Sequence, residues 1–235
     1  IICMWDGGGQ RAHDGISALA GTGELLDRLV QCSGRIPMIS LVLGPVVGVS
    51  ALAASLADFT ILGEDHGQLF LSSPLETPEV IEGEIDAAGL GGASLHASRS
   101  GIACLIAEDE EDACTLATEI LSYLPDHNMA DAPFEETADP ANRLNPDLET
   151  FVPDNPNKPY DMVKVVEEIV DDGIFMELFE SYADNIIIGF ARLEGKTIGV
   201  VGNQPKVLAG CLDIDASIKA ARFSRTCDSF NIPLV

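Results

Sequence analysis

The chain has 235 residues, 46% hydrophobic, 22% charged and 6% aromatic, which is enough for one large domain or two smaller ones with real cores. Thirteen Lys+Arg against 38 Asp+Glu give a formal charge of −25; such a field repels phosphate backbones and anionic lipid heads and excludes nucleic acid and membrane surfaces as partners. The six cysteines (Cys3, Cys32, Cys104, Cys114, Cys211, Cys227) show no CxxC and no short Cys/His spacing, which argues against a zinc site or disulfide framework and for reduced thiols in a cytosolic or matrix-like compartment.

In chain order, Ile1–Trp5 reads as a strand and Asp6-Gly7-Gly8-Gly9-Gln10-Arg11 as a glycine turn, followed by a helix carrying Leu19, Leu25, Leu26 and Leu29. Glycines before a helix allow close backbone approach to an anionic ligand. The GxGxxG spacing of a dinucleotide site is absent, and a plain tight turn explains these residues equally well. From Ile36 to Ala57 there are 22 residues without a charge, long enough to imitate a membrane span. Gly44-Pro45 interrupts that run, so a buried strand (36–43), a turn (Gly44-Pro45-Val46-Val47-Gly48-Val49-Ser50) and a small-residue helix (about 50–57) are expected instead. Such a turn can aim backbone N–H groups at a developing oxyanion. Ser50 is no hydrolase nucleophile, because Leu52 stands where G-x-S-x-G needs its second glycine. The histidines (His13, His66, His96, His127) are scattered and read as packing or surface residues.

Further on, 102–107 reads as a strand, and 108–124 as a helix with an all-acidic first turn and Pro125 as its stop. Between Pro125 and Tyr160 lie seven of the thirteen prolines, the signature of a surface linker dividing the chain. A helix capped by Asp161 follows, then strands at 186–191 and 197–201 and a helix from about Asp215 to Ser229. Strands alternating with helices argue α/β. Lys219, Arg222 and Arg225 recur every three positions, as an ion-pair surface or a phosphate contact would. Ile36-Pro37 and Ile232-Pro233 both follow a helix and open an apolar strand, an internal echo expected of two copies of one unit.

The later motifs carry a resemblance. Asn185-Ile186-Ile187-Ile188-Gly189-Phe190-Ala191-Arg192, Gly202-Asn203-Gln204-Pro205, Gly210-Cys211-Leu212-Asp213-Ile214, Ala220-Ala221-Arg222-Phe223 and Asn231-Ile232-Pro233-Leu234 resemble the carboxyltransferase (β) subunits of biotin-dependent acyl-CoA carboxylases, most of all the propionyl-CoA branch. Asp139-Pro140, Arg143-Leu144, Glu149-Thr150 and Val152-Pro153 fit the same family. The resemblance implies tandem crotonase-like (ClpP/crotonase) β/α superhelical domains, with 1–140 the N-terminal domain lacking its start and 141–235 a truncated C-terminal domain. It implies CO2 transfer from carboxybiotin to an acyl-CoA, backbone oxyanion holes and no metal. It also implies a hexamer with a biotin carboxylase/biotin carboxyl carrier partner, in the cytoplasm or, in a eukaryote, the mitochondrial matrix.

By the same resemblance Gly48 and Val49 form the enolate hole, and Gly7, Gly8, Gly9, Arg11, Gly44 and Pro45 bind acyl-CoA. Asn203, Gln204, Pro205 and Gly210 fall on the biotin side or an interface. Two departures stand out. The family reads Asp-Ser-Gly-Gly-Ala-Arg at 6–11 and Gly-Pro-Cys-Ala-Gly-Gly-Ala at 44–50, so its second hole glycine is Val49 here. That change, with the acidic loop 63–78, raises the alternative of a catalytically weakened paralogue with a structural role. The carboxyltransferase of a sodium-pumping decarboxylase is the other alternative.

Overall fold

A computed structural model describes residues 1–73, 86–146, 148–153, 155 and 158–235. The chain divides into two compact units, Ile1–Leu121 and Ser122–Val235. In the first, β1 (Ile2–Gly7), β2 (Ile39–Val47), β3 (Phe59–Gly63) and β5 (Leu105–Ala107) form a parallel sheet in the order β1-β2-β3-β5. The short β4 (Gln68–Phe70) pairs with the far end of β2. Strands buried on both faces need continuous apolar runs, and β2 supplies Ile39, Leu41, Val42 and Val46. Ser40 is the buried polar exception; its Oγ accepts the Trp5 Nε1–H at 3.0 Å.

The helices of this unit are α1 (Ile16–Cys32), α2 (Val49–Ser55), α3 (Ala87–Gly91), α4 (Ala93–Leu95) and all but the last two residues of α5 (Glu110–Tyr123), with a π turn at His96–Ser100. In α2, Ala51 and Ala54 pack toward Val42, Val46 and Leu62, while Ala53 joins Leu29, Met38 and Ala57. The uncharged run is therefore strand plus helix, and among the described residues no helix is long and apolar enough to cross a membrane. Of the leucines expected to bury α1, Leu29 does so, whereas Leu19 and Leu25 are exposed.

Two local readings are corrected. The strand does not stop at Gly44-Pro45 but continues to Val47. The β1–β2 register slips between Trp5↔Val42 and Gly7↔Val46, so that Leu43, Gly44 and Pro45 stand opposite Asp6 alone. This bulge accommodates a proline that has no N–H for the ladder. The strand expected at 102–107 is reduced to Leu105–Ala107, because Ile102 and Ala103 donate their N–H groups to the His96 carbonyl and close the π turn instead. Of the acidic loop 63–78, residues 68–70 are β4, and 74–78 lie outside the described residues.

The second unit is built on an antiparallel sheet of β6 (Phe175–Leu178), β7 (Ile186–Leu193) and β8 (Lys196–Asn203). Glu194 (φ 51°) and Gly195 (φ 75°) make the two-residue β7–β8 turn, the positive-φ type that matches strand twist. A short α6 (Leu148–Phe151) precedes α7 (Met162–Ile169), which lays Val166 against Ile187, Ala191 and Val200. On α8 (Ile214–Ser229), Phe223 meets the Phe190 ring at 5.2 Å, and Phe190 stacks on Tyr123 at 5.6 Å. The division between the compact units falls at 121/122 because residues after 121 fasten to this sheet. Arg192 donates to the Ser122 carbonyl, pairs with Glu135 at 2.9 Å and lies 4.2 Å over the Tyr123 ring.

The internal echo has a structural counterpart. After α1, β2 pairs parallel to β1, the strand before that helix. After α8, Leu234 bridges in parallel to Gly199 of β8, the strand before that helix, and Val201 donates to the Val235 carbonyl at 2.9 Å. Both are strand–helix–strand crossovers reached through an Ile-Pro.

Candidate functional site

Ligands of parallel sheets gather at the carboxyl ends of the strands. Both candidate turns lie there in the first unit, side by side. Gly7 pairs with Val46, and Gly9 (φ 93°) sits so close that a Cβ would be 3.0 Å from the Val47 carbonyl oxygen. Gly44 is buried, and the Asp6 carboxylate occupies the place where its Cβ would project. Gly7, Gly8, Gly9, Arg11 and Pro45 are exposed. Gln10 ties the turn to α1, its amide donating to the Ala18 carbonyl and to Thr22 Oγ1.

At the second turn the positive φ falls on Gly48 (71°), not on Val49. Val49 is the first residue of α2, so the glycine-to-valine change demands no left-handed backbone there. The Gly48 N–H is committed to the Phe70 carbonyl of β4 at 2.8 Å, and its own carbonyl accepts from Ala51 at 3.1 Å. Val49 and Ser50, the first two helical residues, carry N–H groups with no intrahelical acceptor. Among the described residues the amides of this turn that remain without a backbone acceptor are thus those of Val49 and Ser50. Both are half-buried.

The four residues expected on the biotin side come together in the second unit. Asn203 ends β8, and Gly210 (φ 72°) packs against its side-chain amide. Gln204 is buried, and both ends of its side chain are engaged: Oε1 accepts from Met162 N–H at 3.2 Å and Nε2 donates to Asp161 at 2.8 Å. Gln204 thereby fastens the end of β8 to the start of α7. Pro205 is half-buried, and Leu208 (φ 47°), Ala209 (φ 54°) and Gly210 run consecutively in left-handed backbone, which no sequence pattern had signalled. Burial would raise the Asp161 carboxyl, but hydrogen bonds from Lys206 and Gln204 outweigh it and hold the group below its usual value.

The expected basic face of α8 does not exist as such. Lys219 is buried, its Nζ donating to the carbonyls of Phe179, Tyr182 and Ile186, each at 2.8 Å. Burial pulls its amine down to about 8, against the raising effect of Glu177. Arg222 lies over the Phe179 ring at 5.7 Å, and Arg225 lines an open groove with Leu212, Ile214 and Ile218. Among the described residues no group of three or more His, Cys, Asp or Glu is placed to hold a metal ion.

A family model described as "Carboxyl transferase domain" matches residues 1–235. The propionyl-CoA carboxylase β chain, mitochondrial, of Sus scrofa is 44% identical over 235 residues, all of this chain and 44% of that protein. The methylmalonyl-CoA decarboxylase subunit alpha of Veillonella parvula is 43% identical, again over the whole chain and 46% of its length. The chain thus spans a little under half the length of these curated relatives. Among solved structures, the transcarboxylase 12S hexamer with methylmalonyl-coenzyme A and methylmalonic acid bound superimposes with a TM-score of 0.96 at 38% identity, covering 99% of this chain and 45% of that one.

Proposed function

This chain belongs to the carboxyl transferase domain family and has its crotonase-like α/β fold, and from that premise we propose that it is the carboxyltransferase part of a biotin-dependent acyl-CoA carboxylase. The reaction is transfer of CO2 from carboxybiotin to the α-carbon of a short-chain acyl-CoA, propionyl-CoA giving methylmalonyl-CoA. Relatives named for both compounds support that substrate pair. One observation carries the reading over that of a weakened paralogue: the left-handed residue of the α2 turn is still a glycine, and the valine beside it sits in ordinary helical backbone.

Carboxybiotin, carried by a biotin carboxylase/biotin carboxyl carrier partner, supplies the CO2 and, once discharged, the base for the α-proton. What this chain contributes is binding and charge stabilisation. The Val49 and Ser50 amides at the start of α2 hold the thioester oxygen as it becomes an enolate oxyanion, and one such donor is worth roughly 2.7–4 kcal/mol. Exposed Gly7, Gly8 and Gly9 let the acyl-CoA lie along the backbone, and Arg11 answers its phosphates in an otherwise acidic chain. Gly44 and Pro45 shape the strand beneath. Asn203, Pro205 and Gly210 form the biotin-side or subunit surface of a hexameric assembly, in the cytoplasm or a mitochondrial matrix.

The Val49 isopropyl group narrows the site beside the thioester. The full-length Val49→Gly variant, assayed with its biotinylated partner on acetyl-, propionyl- and butyryl-CoA, should gain mainly on butyryl-CoA, by about tenfold, the lower end of what a methylene is worth in a pocket. Activity confined to the variant would instead mark the natural chain as the weakened paralogue.

A further inference from the structure

We propose that His96 is a positioning residue for the Val49–Ser50 donors, acting through β4; the inference rests on the carboxyltransferase reading above. His96 is buried in the five-residue π turn His96–Ser100, a rare helical geometry often found at functional sites. Both ring nitrogens are engaged. Nε2 lies 3.0 Å from the Leu69 carbonyl and Nδ1 lies 2.8 Å from Ser100 Oγ. A carbonyl only accepts, so Nε2 carries a proton and donates it to Leu69.

The destination of that proton matters because β4 has only three residues. Successive carbonyls of a strand point to opposite edges. That of Phe70 faces β2 and takes the Gly48 N–H at 2.8 Å; that of Leu69 faces the other edge, where His96 meets it. Val46 and Val47 pair with Leu69 and Phe70. The turn that aims Val49 and Ser50 is thus braced against β4, and β4 is braced against the imidazole. Loss of the His96 donor leaves a buried carbonyl unpaired one residue from the acceptor of Gly48.

The test uses the full-length protein with its biotinylated partner. His96→Ala, or His96→Asn if the alanine variant does not fold, removes the donor at Nε2. His96→Gln restores an N–H at that reach, and Ser98→Ala on the same turn, whose exposed hydroxyl bonds to the Ser94 carbonyl, serves as control. A misplacement of the donors should lower kcat about 10- to 100-fold, with the acyl-CoA KM changed less than about threefold. His96→Gln should recover most of the loss, and Ser98→Ala should match wild type. Hydrogen exchange at the Gly48 amide should quicken in the alanine or asparagine variant and not in the glutamine variant. Unchanged kcat, or no rescue by glutamine in a folded protein, or unaltered Gly48 exchange, overturns the inference. If the wild-type protein transfers no carboxyl group, the carboxyltransferase reading fails, and Gly48 exchange still decides whether His96 braces the turn.

Discussion

At Gly48 and Val49, adjacent residues answer to different constraints. Gly48 has open space where a Cβ would project but a φ of 71°, so its glycine is required by backbone alone. Gly48→Ala should therefore destabilise the protein by about 1–2 kcal/mol, read as a lower midpoint in chemical denaturation. Gly44 differs: its φ is not left-handed, and the Asp6 carboxylate fills the place where a Cβ would project. A residue-scale pH dependence arises at Glu177 on β6, whose carboxyl is pushed up to about 7 by burial despite the opposing pull of Lys219. Its ordinary value is 4.5. The folded state binds this proton more tightly than the unfolded chain, so the contribution is fully present below pH 4.5 and is lost as pH rises to about 7. Glu177→Gln should flatten that descending limb in thermal melts taken across this range, and should be at least as stable as wild type above it.

Among the elements, α8 depends on one side chain more than on its charge pattern. Lys219 bonds to the carbonyls of Phe179, Tyr182 and Ile186, and more distantly Ala183, in the segment that leads into β7. Lys219→Met should cost about 2–4 kcal/mol, the unpaired carbonyls outweighing relief from burying an ammonium. A loss well below 1 kcal/mol in a urea titration would contradict the role. The sequence showed this helix but not its buried lysine, because three-residue spacing fixes a face without saying whether that face meets solvent. Helix α5 and strand β7 were legible for the opposite reason: Ala113, Ala117 and Ile120, and the run Ile186–Ala191, bury themselves with local periodicity alone. What escaped is non-local. Strand β6 has mixed polarity, the continuation of β2 through Gly44-Pro45 needs the bulge opposite Asp6, and the π turn needs His96 to meet β4. The glycine motifs located the candidate site; which amides it presents depended on Phe70, a residue with no motif of its own.

On the scale of the whole molecule, the repeated crossover accounts for much of the design. A strand, a helix and an Ile-Pro return occur once at β1–α1–β2 and again at β8–α8–Leu234. In each, a turn at the carboxyl end of the first strand carries candidate site residues: Gly7 to Arg11 in one, Asn203 to Gly210 in the other. The formal charge of −25 leaves that backbone geometry untouched, so an acidic surface and an anionic acyl-CoA are compatible provided the local contacts are amides and Arg11. The central claim is that the chain's backbone turn supports carboxyl transfer without a side-chain acid or base. The direct measurement is transfer of a radiolabelled carboxyl group from methylmalonyl-CoA to biotin by the full-length protein, with the biotinylated partner as a second acceptor. The account predicts labelled carboxybiotin formed together with propionyl-CoA. Tight acyl-CoA binding with no label reaching either acceptor would contradict it.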